Sequence, residues 1–155
     1  MHSLSAIQSV ITSSLKNSID FKNKSLSLIG EELNFYMDTS ILYEEEKTPY
    51  IAFHKFNSTF DENSNNDYIL QFIVSLYYGE PKTDANGINY VEEVSFAEEL
   101  ALEALKDIKE TLVCVGVDGD RSLYVSNYNI LITEVGEAED IQAIVTLRVS
   151  NENYL

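Results

Sequence analysis

The sequence predicts an α+β domain: a mostly antiparallel single sheet of about five strands, with an N-terminal helix and a long capped helix packed mainly on one face. Three observations predict it. Segments 3–19 and 95–113 repeat apolar residues at spacings of three and four, as a helix buried along one stripe does. Segments 33–43, 50–56, 67–78, 121–135 and 141–149 are short, rich in β-branched and aromatic residues, and mostly alternate. The resulting order (helix, three strands, helix, two strands) suits one sheet with helices on one side. At 155 residues the chain fits a single domain spanning 1–155, large enough to bury a core without disulfides or metals.

The first helix, "SLSAIQSVITSSLKNSI", places Leu4, Ile7, Ile11, Leu15 and Ile19 on one stripe, with serine, threonine and lysine opposite. Serine is a modest helix former, so packing must hold this helix. "LNFYMDTSILY" (33–43) reads as a strand with imperfect alternation, and "EEEKTP" (44–49) as a charged turn. "YIAFHKF" (50–56) sets Ile51, Phe53 and Lys55 against Tyr50, Ala52, His54 and Phe56. A polar loop, "NSTFDENSNND" (57–67), leads into "DYILQFIVSLYY" (67–78). That strand is apolar on both sides: Tyr68, Leu70, Phe72, Val74, Leu76 and Tyr78 on one, Ile69, Gln71, Ile73, Ser75 and Tyr77 on the other. It therefore needs two covers.

Loop 79–94 follows, with Pro81 and the turn pair Asn86-Gly87. In the long helix 95–113, Ser95 and Glu98 form a capping box. Phe96, Leu100, Ala104, Ile108 and Leu112 make the stripe, widened by Ala101 and Leu105. Glu98 and Glu99 near its start, and Lys106 and Lys109 toward its end, suit the helix dipole. "GVDGD" (116–120) is a turn, 121–135 a strand, and "GEAED" (136–140) a hairpin-like turn. In the last strand Ile141, Ala143, Val145, Leu147 and Val149 share one face, and Gln142, Ile144, Thr146 and Arg148 the other.

Charge is the strongest compositional signal, at a net −16. It is uneven. Residues 1–24 hold Lys16, Lys22 and Lys24 against Asp20 alone, leaving 7 basic and 25 acidic residues for the remainder. Such a chain is not built to wrap nucleic acid, since phosphate affinity comes from lysine and arginine. An acidic wall would instead let DNA pass as a non-bound passenger. The sequence reads as lacking a signal peptide and any apolar run of membrane-spanning length, so no membrane partner is expected. Cys114, the single cysteine, reads as a small buried hydrophobe.

Catalytic chemistry does not emerge, and no catalytic residue, cofactor or metal is assigned. His2 sits at the terminus and His54 in an amphipathic strand; neither has a nucleophile or acid placed beside it by local spacing. Asp61, Asn63, Asn65 and Asp67 mimic the start of a calcium loop, but Asn66 and Phe72 stand where glycine and glutamate are needed. Glu44, Glu45 and Glu46 are consecutive in a turn, so they diverge into solvent.

The second face of strand 67–78 has no evident cover, and tyrosine, apolar in body and polar at its tip, is a good interface residue. Tyr50, Tyr68, Tyr77, Tyr78, Tyr124 and Tyr128 are therefore the candidates for contact with a neighbouring subunit.

The element order around "PYIAFHKF", "DYILQFIVSLYYGEP", "SFAEELALEALKDIKETL" and "YNILITEV…IQAIVTLRVS" resembles the tail terminator proteins of long-tailed bacteriophages, the minor-tail-protein family that ends tail tube growth. The resemblance covers most of the chain but rests on order, length and texture, with no diagnostic motif. It implies a virion tail protein, assembled in the host cytoplasm, that forms a homo-oligomeric ring, usually hexameric. That ring would sit on the tail tube protein and offer a surface to a head-completion or connector protein. It also implies lumen or docking roles for the acidic turns: Asp61, Glu62 and Asp67 in one, Glu137, Glu139 and Asp140 in the other. The rival expectations are another head–tail joining or neck protein, an acidic DNA mimic that occupies the basic groove of a nucleic-acid enzyme, and, last, a small enzyme.

Overall fold

A computed structural model describes residues 2–38, 48–59, 67–135 and 140–152. It is an α+β fold of two layers. The elements are α1 (Leu4–Lys16), α2 (Ile19–Ile29), β1 (Asn34–Met37), β2 (Tyr50–Thr59), β3 (Asp67–Tyr77), β4 (Lys82–Thr83), β5 (Asn89–Tyr90), α3 (Glu92–Cys114), β6 (Leu123–Val135) and β7 (Asp140–Asn151). Five strands form one sheet in the order β1-β2-β3-β7-β6; β4 and β5 form a separate small hairpin. Every pairing in the large sheet is antiparallel except β1 with β2.

One face of the sheet meets all three helices. Ile51, Phe53, Leu70, Phe72, Val74 and Leu76 join Ile141, Ala143, Val145 and Leu147 there, and the buried stripes of α1 and α3 close over them. Phe21, Phe35, Phe53 and Phe72 stand in a relay, with ring centroids 6.1, 6.3 and 5.9 Å apart in sequence. α3 presents Ala97, Ala101 and Ala104 among its buried residues, and these small side chains let its backbone lie close to its neighbours.

The helices depart from expectation in instructive ways. The stripe expected over 3–19 breaks at Asn17-Ser18. Asn17 ends α1, its side-chain amide donating to the Ser13 carbonyl at 3.0 Å, and the Ser18 hydroxyl accepts from the Phe21 amide at 3.2 Å to start α2. Ile19, placed on the α1 stripe by spacing, is instead 73% exposed on α2. α2 was not expected at all; it closes on Gly30 in the left-handed region, φ 77°.

The expected capping box does not cap α3. The helix starts three residues earlier, at Glu92, and Val91 contributes no side-chain bond. Glu92 and Glu93 supply the favourable charge of the first turn instead, and the last turn holds no basic residue, so Lys106 and Lys109 lie short of it. Cys114 ends this helix and is exposed rather than buried. Loop 79–94 contains the β4–β5 hairpin. The strand expected over 50–56 runs on into the segment expected as a loop, since β2 ends at Thr59. The acidic turn Glu44–Glu46 and most of the calcium-like loop lie outside the described residues.

Candidate functional site

Strand alternation and register build the face opposite the helices. Tyr36 pairs with Ala52, Ala52 with Ile73, Ile73 with Ile144, and Ile144 with Leu131. One apolar row thus crosses all five strands. On one side it is bordered by Tyr50, Ser75, Gln142 and Thr133, on the other by His54, Gln71, Thr146 and Asn129. An apolar centre with polar flanks is the anatomy of a protein–protein contact.

This face is closed at one end and open at the other. Near β1 the chain seals itself: the Gln142 amide donates to the Tyr50 hydroxyl at 3.0 Å, Thr48 donates to Asp140 at 3.2 Å, and the Tyr36 and Tyr50 rings meet edge-on at 6.0 Å. Ala52 and Ser75 are buried there. Toward β6, Ile73 and Ile144 are half-buried and Leu131 is 58% exposed. The helices gather on the other face, so none of them covers this row.

The six tyrosines named from sequence do not share one surface. Tyr50, Tyr77 and Tyr124 lie on this outer face by register. Tyr77 is 60% exposed, whereas Tyr50 is buried against Gln142. Tyr78, just past β3, is exposed. Tyr68 belongs to the core: it is 4% exposed, and its hydroxyl donates to the His2 carbonyl at 2.8 Å and accepts from the His2 amide at 3.2 Å. A bulge between Val125 and Asn127 turns Tyr128 to the helix side, where the Lys109 ammonium lies 4.8 Å from its ring centroid. Alternation alone gave no sign of that reversal.

Of the acidic candidates, Asp61, Glu62, Glu137 and Glu139 lie outside the described residues. Asp67 is 3.7 Å from Arg148, and Asp140 is buried on Thr48. The basic N-terminal segment folds into α1 and α2. Lys22 and Lys24 approach Glu32 at 3.7 Å and Glu99 at 3.6 Å, and Lys16 sits 4.8 Å over the Phe35 ring. Lys16 and Lys22 flank a cleft of about 580 Å³ between α1, α2 and β1.

Titratable groups are dispersed. His2 is not frayed: its side chain is mostly buried, with Nε2 2.7 Å from the Asp120 carboxylate. Hydrogen bonds from the Ser122 hydroxyl, the His2 ring and the Ser122 amide hold the Asp120 carboxyl down, to about 2. Burial pushes the Asp107 carboxyl on α3 up, partly offset by a hydrogen bond from Ser18. Neither site brings a nucleophile and a base together. Among the described residues no three His, Cys, Asp or Glu side chains gather as a metal site would require, and no described helix is long and apolar enough to cross a membrane.

No protein-family model matches the chain, and no curated protein matches it. The site reading therefore rests on geometry. The apolar row was half legible in the sequence. The alternation within 67–78 and 141–149 put Ile73 and Ile144 outward, but their alignment with Tyr36, Ala52 and Leu131 needs the register, which no single strand carries.

Proposed function

We propose that the protein is a structural assembly subunit that forms a ring like those of phage tail terminators, ending tail tube growth and presenting the head-joining surface. The observation that carries this reading is the apolar row Tyr36-Ala52-Ile73-Ile144-Leu131, open at its β6 end. An apolar band that the chain's own helices leave uncovered calls for another chain. A heterologous contact of this kind closes a ring when its rotation allows. The net charge of −16 suits a lumen through which DNA slides without binding. The described residues offer no catalytic cluster to compete with an assembly role.

Electron microscopy of negatively stained particles tests this. Closed rings with a central channel are expected, and adding them to a polymerising tail tube protein should stop elongation. Rings that leave elongation unchanged would reassign the protein to another neck joint. The same charge supports a second reading, a DNA mimic. That reading expects a complex with a basic nucleic-acid enzyme, weakened steeply by salt, with no ring.

A further inference from the structure

β1 is an edge strand, with β2 as its only neighbour in the sheet. The Asn34 amide donates to the Pro49 carbonyl and the Asp38 amide to the Phe53 carbonyl, both at 3.0 Å. Asn34, Tyr36 and Asp38 therefore turn their backbone groups toward β2, and Phe35 and Met37, which alternate with them, turn theirs the other way. Among the described residues no backbone hydrogen bond is made on that outer side. An unpaired edge of this kind is a template for a further strand.

This free edge borders the cleft of about 580 Å³ between α1, α2 and β1, a size within the ~300–1,000 Å³ of ligand-holding clefts. Phe21 and Leu33 in its lining are nearly buried. The polar side chains of its walls are spent inside the chain. The Ser18 hydroxyl accepts from the Phe21 amide, the Ser25 hydroxyl donates to the Glu31 carbonyl, and the Asn34 side chain donates to the Pro49 carbonyl. Tyr36 turns its ring to Tyr50 on the outer face. Two ammonium groups and the β1 edge are left to recognise a guest. Lys16 lies 4.8 Å over the Phe35 ring and makes no ion pair among the described residues. Lys22 is 3.7 Å from Glu32, both side chains more than half exposed. The lining thus sets two lysines against one glutamate, a net +1 in a chain of −16. The sheet's other edge, β6, carries Glu134 and no cation within its own span.

We propose that this cleft takes an extended acidic segment of a partner protein, which adds to β1 as a further strand and sets its carboxylates on Lys16 and Lys22. In strand addition the main-chain bonds supply affinity and the alternate side chains supply selection. Here the unpaired Phe35 and Met37 backbone calls for a main chain, and the lysines call for acids. The site lies at the opposite edge of the sheet from the bare end of the outer row, so it stands or falls apart from the ring reading.

Fluorescence anisotropy tests this, with a short labelled peptide that alternates glutamate and threonine, titrated with the full-length chain at low salt. Saturable binding is expected, weakened about tenfold by Lys16→Gln combined with Lys22→Gln, and weakened by added salt. Glu32→Gln should tighten binding, because it removes the carboxylate that competes for Lys22. Met37→Pro should abolish binding with little change in melting temperature. It removes an outward amide and no bond to β2, and Met37 is 47% exposed. Binding that falls with the lysine variants but survives Met37→Pro would mean an anion site only and overturn strand addition. No saturable binding, or binding that none of the variants alters, would overturn the site altogether. A mass that doubles without peptide and reverts with Met37→Pro would make a second copy the occupant and overturn the acidic partner.

Discussion

Asp120 fixes the N-terminus through a small polar knot. Its carboxylate receives Ser122 and His2, and Tyr68 holds the His2 backbone from the other side. A carboxyl held low stabilises the fold fully above its unfolded pKa of ~3.9, and that contribution is lost as pH falls toward about 2. Asp120→Asn should therefore cost about 1 kcal/mol in urea unfolding at pH 7, discounted for partial exposure, and the gap from wild type should shrink as pH drops through this window. Asp107 has the opposite sign. Its carboxyl is pushed up by burial, so Asp107→Asn should raise the urea midpoint at pH 7, and the difference should narrow on acidification. Gly116 leaves no room for a side chain: at φ 78°, a Cβ would sit 2.3 Å from the Asp120 carbonyl oxygen. Gly116→Ala should destabilise by about 2 kcal/mol or more, seen as a lowered melting temperature. The turn 116–120 that holds Gly116 and Asp120 was legible in the sequence, but the meetings of His2 with Asp120 and of Ser18 with Asp107 were not, because they join segments far apart in the chain.

At the scale of elements, the sequence carried periodicity well and boundaries poorly. The alternating strands 67–78 and 141–149 stand almost as spaced, since burial on one face locks their register. α3 also stands, but its start was misplaced. Ser95-Glu98 has capping-box spacing, yet the acidic pair Glu92-Glu93 and tertiary packing carry the helix one turn further. α2 is hard to read from the sequence because its amphipathicity is weak, which leaves only Ser18 before it and Gly30 after it to mark its ends. The alanines of α3 bring that helix close to its neighbours, so Ala101→Leu should cost about 1–3 kcal/mol in chemical unfolding. The outer row behaves differently. Ile144→Asp lies between Ile73 and Leu131 on the bare part of the sheet. It should lower the particle mass far more than it lowers the melting temperature of the subunit, which paired light scattering and calorimetry would separate.

The whole molecule is an acidic chain with helices on one side of a sheet and, on the other, an apolar row that is buried near β1 and open toward β6. The fold class was legible because each strand and helix has its own period. The outer apolar row was not, because it is made of register between strands, which no single strand carries. Self-association of such a subunit is opposed by charge repulsion and favoured by apolar burial, so added salt should promote it. The most direct measurement is the solution mass of the wild-type chain, by light scattering after size exclusion, at several protein concentrations and two salt levels. A ring-sized multiple of 17.5 kDa that grows with concentration and persists or strengthens in high salt is the predicted result. A mass of 17.5 kDa under every condition would contradict the claim that other copies of this chain cover its bare sheet face.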